Sequence, residues 1–118
     1  MAKEMRIGIA SFENFKQRTI SIAKGNYKPK NTEPTIWFDS IESMAQVLSS
    51  KNQELLKAIR DNNPQSLTEL ATISGRQISN LSRTLKNMEK YGIVKLDKGK
   101  ESVKPTLCAD IFRAVFSF

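Results

Sequence analysis

The feature that most constrains the fold is a closely spaced series of helix boundaries in the second half of the chain. Ser66 and Glu69 form a capping box, in which a serine at the start of a helix pairs with a glutamate one turn later. Gly75 suits the left-handed position that ends a helix. A second helix is predicted from Arg76 to Tyr91, and another glycine follows it. The spacing leaves room for a short first helix, a tight turn and a longer second helix.

A charged hairpin is predicted directly after this pair of helices. Ile93–Leu96 and Ser102–Cys108 are β-prone, and the turn Asp97–Glu101 joins them. Helix, turn, helix and hairpin in this order are typical of a winged helix-turn-helix, whose second helix enters the DNA major groove. We therefore expect an α+β fold, mainly α, with a winged helix-turn-helix over about Ser66–Thr106 and the hairpin as its β-wing.

The rest of the chain predicts an N-terminal strand/helix extension and an apolar C-terminus. The expected elements are a strand at Met5–Ala10, helices at Ser11–Lys24, about 40–48 and about 50–62, a loop at Asn26–Pro34 and a strand at Thr35–Phe38. The expected organisation is an extension over residues 1–48, a winged helix-turn-helix domain over 49–108 and an apolar segment over 109–118.

The two apolar ends of the chain have two interpretations. Phe112, Ala114 and Phe116 recur at period two and favour a strand over a helix in the C-terminal segment. The two chain ends are more apolar than chain ends require, through Ile7 and Ile9 at one end and Ile111, Phe112, Val115, Phe116 and Phe118 at the other. One hypothesis is a dimer surface built on a shared sheet, and the alternative is that both ends complete the core of the monomer.

Composition excludes several classes of function. The chain has no histidine and one cysteine, Cys108, which leaves neither a zinc ligand set nor an internal disulfide. It also lacks an apolar run long enough for a signal sequence or a membrane span. We therefore expect a cytoplasmic protein without a metal or other cofactor and without catalytic activity, and no association with a membrane.

Charge is distributed unevenly and favours a polyanionic partner. The net charge is +7, with seven basic and two acidic residues in positions 1–30 and nine basic and four acidic residues in positions 76–118. Residues 31–75 are mildly acidic, with three basic and six acidic residues. A basic face can be merely solvated, but concentration of positive charge around the second helix and hairpin favours nucleic acid.

The second helix carries the candidate recognition residues. Its outward positions hold Ser, Asn and Arg, a combination that helix propensity alone does not favour. These side chains bind base edges well, since Arg pairs with guanine and Asn with adenine. The residues that we expect to contact bases are Arg76, Gln77, Ser79, Asn80, Arg83 and Asn87. Those that we expect to contact phosphates are Ser66, Thr68, Ser82, Thr84, Lys86, Lys90, Lys95, Lys98, Lys100 and Lys104.

The segment SLTELATISGRQISNLSRTLKNMEKYGIVKL resembles the winged helix-turn-helix of MarR-like and ArsR-like bacterial regulators. The matching positions at the helix end and the start of the wing are Leu85, Met88, Glu89, Gly92, Ile93 and Val94. More narrowly, the chain resembles short MarR-like DNA-binding proteins of bacteria and archaea with a PxIWFxSxESLAQVLSxxNxELL stretch. Its matches here are Pro34, Ile36, Trp37, Phe38, Ser40, Glu42, Ser43 and Ala45–Leu48.

This resemblance implies a function and an alternative to it. It implies a sequence-specific regulator that binds double-stranded DNA as a homodimer, most simply a repressor. The alternative is an antitoxin that binds a small toxin protein and represses its own operon, as some members of the group do. The chain lacks the long flanking helices of full-length MarR proteins, so their mode of dimerisation does not carry over.

Overall fold

The computed structural model describes residues 3–9 and 35–116. The described residues form an α+β fold of five strands and four helices, which confirms the expected class. In chain order the elements are β1 (Glu4–Ile9), β2 (Ile36–Phe38), α1 (Ile41–Val47), α2 (Ser50–Asn62), α3 (Leu67–Ser74), α4 (Ile78–Tyr91), β3 (Val94–Lys98), β4 (Val103–Leu107) and β5 (Ile111–Val115). The predicted helix Ser11–Lys24 and loop Asn26–Pro34 lie outside the described residues.

The N- and C-terminal strands form one sheet in the order β2-β1-β5, and both strand pairs are parallel. Ile7 lies beside Ile36 on one side and Ala114 on the other, and its side chain is 2% exposed. The strand prediction for the C-terminal segment is confirmed. Ile7 is buried in the core and Ile9 is partly buried against it, in a sheet where β1 pairs with β5 of its own chain.

An ion pair joins the two long strands of this sheet on the face opposite Ile7. The guanidinium of Arg113 on β5 donates a hydrogen bond to the carboxylate of Glu4 on β1. That hydrogen bond, together with the positive charge of Arg113, holds the pKa of Glu4 below its ordinary value. The charge of Arg113 is therefore balanced within the chain.

Local capping interactions set the helix boundaries. Ser40 and Ser66 accept the backbone N–H groups of Ser43 and Glu69, each at 3.0 Å, as expected for N-caps. The carboxylate of Glu69 accepts the N–H of Gln65 at 3.2 Å, one residue earlier than in a reciprocal capping box. These bonds satisfy amide groups that have no partner within the helix.

Glycines end α3 and α4 in the left-handed conformation. Gly75 has φ 72° and Gly92 has φ 83°, a region that other residues enter only with strain. The backbone N–H of Gly92 donates to the carbonyl of Glu89 at 3.0 Å and closes the last turn of α4. The predicted glycine stops of both helices are confirmed.

One core connects the sheet with the helices. Leu81, Leu85 and Met88 form a fully buried stripe along α4, and Leu70 of α3 is buried beside them. Phe38 of β2 belongs to the same core and stacks on Tyr91, with 4.3 Å between ring centroids. The sheet strands and the predicted DNA-binding helices therefore share a single apolar interior.

Helical periodicity predicts from the sequence that Ile41, Ile73 and Ile78 face the core, but all three are exposed. Ile41, Ile73 and Ile78 are 54%, 40% and 46% exposed. Ile41 and Ile78 are the first residues of their helices and Ile73 is the last but one of α3. Periodicity predicts the direction of a side chain but not whether a neighbouring element extends far enough to cover a helix end, so these three predictions were wrong.

The antiparallel strands β3 and β4 form the hairpin. Their register places Val94 opposite Leu107, and Lys95 opposite Thr106. The backbone N–H of Gly99 donates to the carbonyl of Ser102 at 2.7 Å and closes the turn. Among the helices of the described residues, none is long and apolar enough to cross a membrane.

Candidate nucleic-acid interface

Helix α4 presents a polar and basic surface on the side opposite its buried stripe. Because Leu81, Leu85 and Met88 face the core, the remaining positions are directed outward. Ile78 and Glu89 of this helix are exposed as well, but we give the name α4 outer surface to the other exposed residues, Gln77, Ser79, Asn80, Arg83, Lys86, Asn87 and Lys90. None of these side chains is acidic, so the surface combines hydrogen-bonding amides and a hydroxyl with three cations.

Helix α4 begins two residues later than the sequence predicts. Its first residue is Ile78, and Gln77 is its N-cap with extended backbone, φ −72° and ψ 144°. Arg76 lies in the turn between α3 and α4. The prediction that Arg76 belongs to the helix was wrong, because glutamine and arginine do not mark a helix start as serine or aspartate does.

The two arginines of this region have different surroundings. The Arg76 guanidinium is half-buried and donates to three side chains: from Nε to Asn80 Oδ1 (2.8 Å), from Nη1 to Asn52 Oδ1 (3.1 Å) and from Nη2 to Thr84 Oγ1 (3.2 Å). The side chain of Arg83 is exposed and has no hydrogen-bond or ion-pair partner within residues 3–9 and 35–116. Arg83 is thus available to a ligand in a way that Arg76 is not.

Asn52 of α2 connects Arg76, in the turn before α4, to the end of α1. The sequence analysis did not identify this residue. Its Nδ2 group donates to the carbonyl of Val47 at 2.9 Å and to that of Gln46 at 3.4 Å, at the end of α1. Its Oδ1 atom accepts from Arg76. The only sequence indication is an asparagine near the start of a helix, since the partner lies 24 residues away along the chain.

Glu89, the first acidic residue of α4, is directed towards the hairpin. Its carboxylate accepts the backbone N–H of Leu96 on β3 at 3.0 Å. The negative charge is thus held at the junction of α4 and β3, beside the α4 outer surface and not within it. This hydrogen bond also fixes the hairpin to the helix from which it emerges.

The lysines of the hairpin are distributed over both faces of it. Lys95 and Lys104 share one face with Asp97, because Lys104 lies opposite Asp97 in the register, and Lys98 occupies the other face opposite Val103. The ammonium of Lys95 lies 3.5 Å from the Asp97 carboxylate, and both side chains are largely exposed. Lys100 is exposed in the turn. The structure therefore does not bring the four predicted phosphate contacts onto one face.

The predicted hydroxyl contacts lie on two helices. Ser66 and Thr68 are at the start of α3, where the Ser66 oxygen already acts as the N-cap and Thr68 is exposed. Ser82 and Thr84 on α4 are half-buried, and Thr84 accepts from Arg76. Ser66 and Thr84 can still donate their hydroxyl protons, so all four retain a donor for a phosphate oxygen.

The fold and this surface define a small α+β protein with an exposed, acid-free helix face beside a basic hairpin. Among the described residues no group of three or more His, Cys, Asp or Glu side chains is placed to hold a metal ion. The family model HVO_A0114 matches residues 47–114, more than half of the chain, and the chain belongs to this family. No curated protein and no solved structure gives a significant match.

Proposed function

We propose that the protein is a sequence-specific, double-stranded DNA-binding transcription regulator that acts as a dimeric repressor in the cytoplasm, without a cofactor or catalytic activity. In this proposal α3, the Gly75 turn and α4 are the helix-turn-helix, and β3 and β4 are its wing, in the manner of MarR-like regulators. The order and boundaries of these elements support the assignment.

The observation that carries the proposal is the absence of carboxylates from positions 77–87, the N-terminal and central turns of α4. A solvated helix face ordinarily mixes Glu with Lys, which form stabilising pairs one turn apart. Here the exposed positions from Gln77 to Asn87 hold Gln, Ser, Asn, Arg and Lys together with Ile78, and the one exposed carboxylate of α4, that of Glu89, is hydrogen-bonded to the hairpin. Such a surface can approach phosphates without electrostatic repulsion and can read base edges with Arg and Asn.

The proposed contacts divide into two groups. Gln77, Ser79, Asn80, Arg83 and Asn87 are exposed near the N-terminal and central turns of α4 and are assigned to base edges. Lys86, Lys90 and the hairpin lysines are assigned to phosphates, where they supply affinity without sequence preference. The hydroxyls of Ser66, Thr68, Ser82 and Thr84 are assigned to phosphates as well.

The proposal is tested by alanine substitution of Arg83 and Asn80, two exposed residues that are assigned to base edges. A randomised duplex library first provides a DNA sequence enriched by the wild-type protein. Arg83→Ala and Asn80→Ala should each weaken binding to that duplex by about 1–3 kcal/mol and relax the preference at one base position. Fluorescence anisotropy measures the dissociation constants of the variants and of the wild-type protein.

The matched control is Arg60→Ala. Arg60 is an exposed arginine on α2 that pairs with Asp61 at 2.8 Å, away from α4. Its replacement removes the same charge and should leave the base preference unchanged. Equal loss of affinity in Arg83→Ala and Arg60→Ala, with the base preference unchanged in both and in Asn80→Ala, would show that the α4 outer surface contributes only charge.

Dimerisation is proposed through β5. Among the described residues, β5 exposes Ile111 and Val115 on the strand face that carries Arg113, with 43% and 39% of their surface exposed, and Phe116 after the end of the strand is 47% exposed. Winged-helix repressors bind as dimers to two half-sites, so a self-association surface away from α4 suits the proposed function. The antitoxin alternative would place a toxin protein on the same surface.

A further inference from the structure

We propose that Arg76 does not read a base itself but determines the base preference of Asn80, so that Asn80 favours guanine over adenine. This inference rests on the proposed function, since it concerns how the α4 outer surface reads DNA. It makes Arg76 a positioning residue, in contrast to the exposed and unengaged Arg83.

The orientation of the Asn80 amide follows from donor and acceptor chemistry. The Nε–H of an arginine can only donate, so the Asn80 atom that lies 2.8 Å from it is the carbonyl oxygen Oδ1 and not the Nδ2 group. The Nη2 group of the same guanidinium donates to Thr84, one helical turn further along α4. These two hydrogen bonds to α4 hold the Arg76 side chain along the helix. They also keep the Oδ1 atom of Asn80 directed towards Arg76.

The position of Arg76 is fixed from the opposite side by Asn52. The Nδ2 donors of Asn52 are used by the carbonyls of Val47 and Gln46, which leaves Oδ1 as the group that faces Arg76. Arg76 thus joins a chain of hydrogen bonds that begins at the backbone of α1 and ends at Asn80. Neighbouring helices, and not the DNA, set the direction of the Asn80 amide before binding.

This orientation changes which base Asn80 can read. A free asparagine pairs with adenine in two ways at once, accepting from N6 through Oδ1 and donating to N7 through Nδ2. When Oδ1 is held towards Arg76 and one of its two lone pairs is used there, we expect the Nδ2 donors to be the groups presented to a base. Guanine presents two acceptors, N7 and O6, to these donors, whereas adenine presents only N7, and its N6 amino group loses the acceptor that a freely rotating asparagine supplies.

The test is enrichment of a randomised duplex library by the wild-type protein and by Asn80→Ala, Arg76→Met, Arg76→Lys and Lys86→Met. The base position read by Asn80 is the one at which Asn80→Ala loses its preference. At that position we expect the wild-type protein to prefer guanine over adenine roughly tenfold. Arg76→Met frees the amide to rotate and should lower this ratio about fivefold or more, towards adenine.

The other two variants separate orientation from charge and from stability. Arg76→Lys keeps the charge but cannot satisfy three acceptors in a planar arrangement, so it should also lower the guanine preference. Lys86→Met removes an exposed cation that is assigned to a phosphate, so it should weaken binding to all sequences and leave the ratio unchanged. A ratio at one position does not respond to lost stability, which weakens binding to all sequences equally.

Three outcomes would overturn the inference. The first is that the wild-type protein prefers adenine at the position read by Asn80. The second is that both Arg76 variants keep the guanine-to-adenine ratio of the wild-type protein. The third is that Asn80→Ala keeps the wild-type preference at every position. If the wild-type protein enriches no sequence at all, the proposed function itself fails. That result is distinguishable from the other three, because each of them includes a selected sequence.

Discussion

The α4 outer surface and the sheet edge at β5 are both exposed, yet they differ in chemistry. The surface of α4 carries cations and amides without a carboxylate among them, and its central arginine, Arg83, is unpaired among the described residues. On β5, Arg113 is paired with Glu4, and its exposed neighbours on the strand are apolar. The α4 outer surface therefore retains unneutralised positive charge. On β5 the arginine is paired with a carboxylate, and the exposed side chains beside it are apolar.

This difference separates two kinds of binding. Unpaired cations gain most from a polyanion, which releases its counterions when they bind. Exposed aliphatic and aromatic side chains gain from being removed from water by another apolar surface. This difference is the basis of our two proposals, that DNA binds to α4 and that a second protein copy binds to β5, and each proposal can be disproved independently of the other.

The largest expected effect tests whether the two regions are parts of one cooperative unit. Leu85 is fully buried in the core that joins α4 to the sheet. Leu85→Ala should lower the free energy of unfolding by about 2–5 kcal/mol through lost burial and a residual cavity. Urea unfolding followed by far-UV circular dichroism and by Trp37 fluorescence reports on the helices and on β2, respectively.

The two probes should give the same transition in the wild-type protein and shift together in the variant. Lys86→Ala, the exposed neighbour on α4, should change the free energy of unfolding by less than about 0.5 kcal/mol. Separate transitions for the two probes would show that the sheet and α4 fold independently, contrary to the shared core.

A smaller effect is expected from removing the apolar surface of β5. The double variant Ile111→Ser with Val115→Ser should raise the dimer dissociation constant about tenfold or more, because two partly exposed aliphatic side chains no longer lose contact with water on association. Sedimentation equilibrium measures this constant, and Ile41→Ser, at an isoleucine that is 54% exposed on α1, is the control.

The wild-type protein itself decides between the two partners proposed for β5. A dimer that is weakened by the double variant and unaffected by the control supports self-association. A monomeric wild-type protein would contradict the dimer and would favour a different protein on this surface, as the antitoxin alternative requires.

The smallest expected effect concerns one phosphate contact of the hairpin. Lys95→Met should reduce the slope of the logarithm of affinity against the logarithm of salt concentration by about one, with the base preference unchanged. Lys57→Met removes an exposed lysine from α2 and should leave the slope as it is. An unchanged slope for Lys95→Met would show that the hairpin face shared by Lys95 and Lys104 does not belong to the proposed interface.

The features that could be predicted from the sequence are those with local causes. The N-caps Ser40 and Ser66 and the glycine stops at Gly75 and Gly92 depend on neighbouring residues, and the stripe of α4 depends on helical periodicity. The outward directions of the α4 residues follow from that stripe. Most of the candidate surface could therefore be predicted from local sequence patterns alone.

The features that could not be predicted depend on contacts between distant segments. The parallel pairing of β1 with β5 joins opposite ends of the chain, and no local pattern specifies it. The same holds for the contact between Asn52 and Arg76, which changed the expected role of Arg76. The exposure of Ile78 depends on where α4 begins, which the residues around Gln77 mark only weakly.

The central claim is that the α4 outer surface recognises a particular DNA sequence. The most direct test is the ratio of dissociation constants for the duplex enriched by the wild-type protein and for a shuffled duplex of the same composition, measured at physiological salt. The account predicts that the enriched duplex binds about 10³-fold or more tightly. A ratio close to one would contradict it, because the surface would then bind DNA only through its charge.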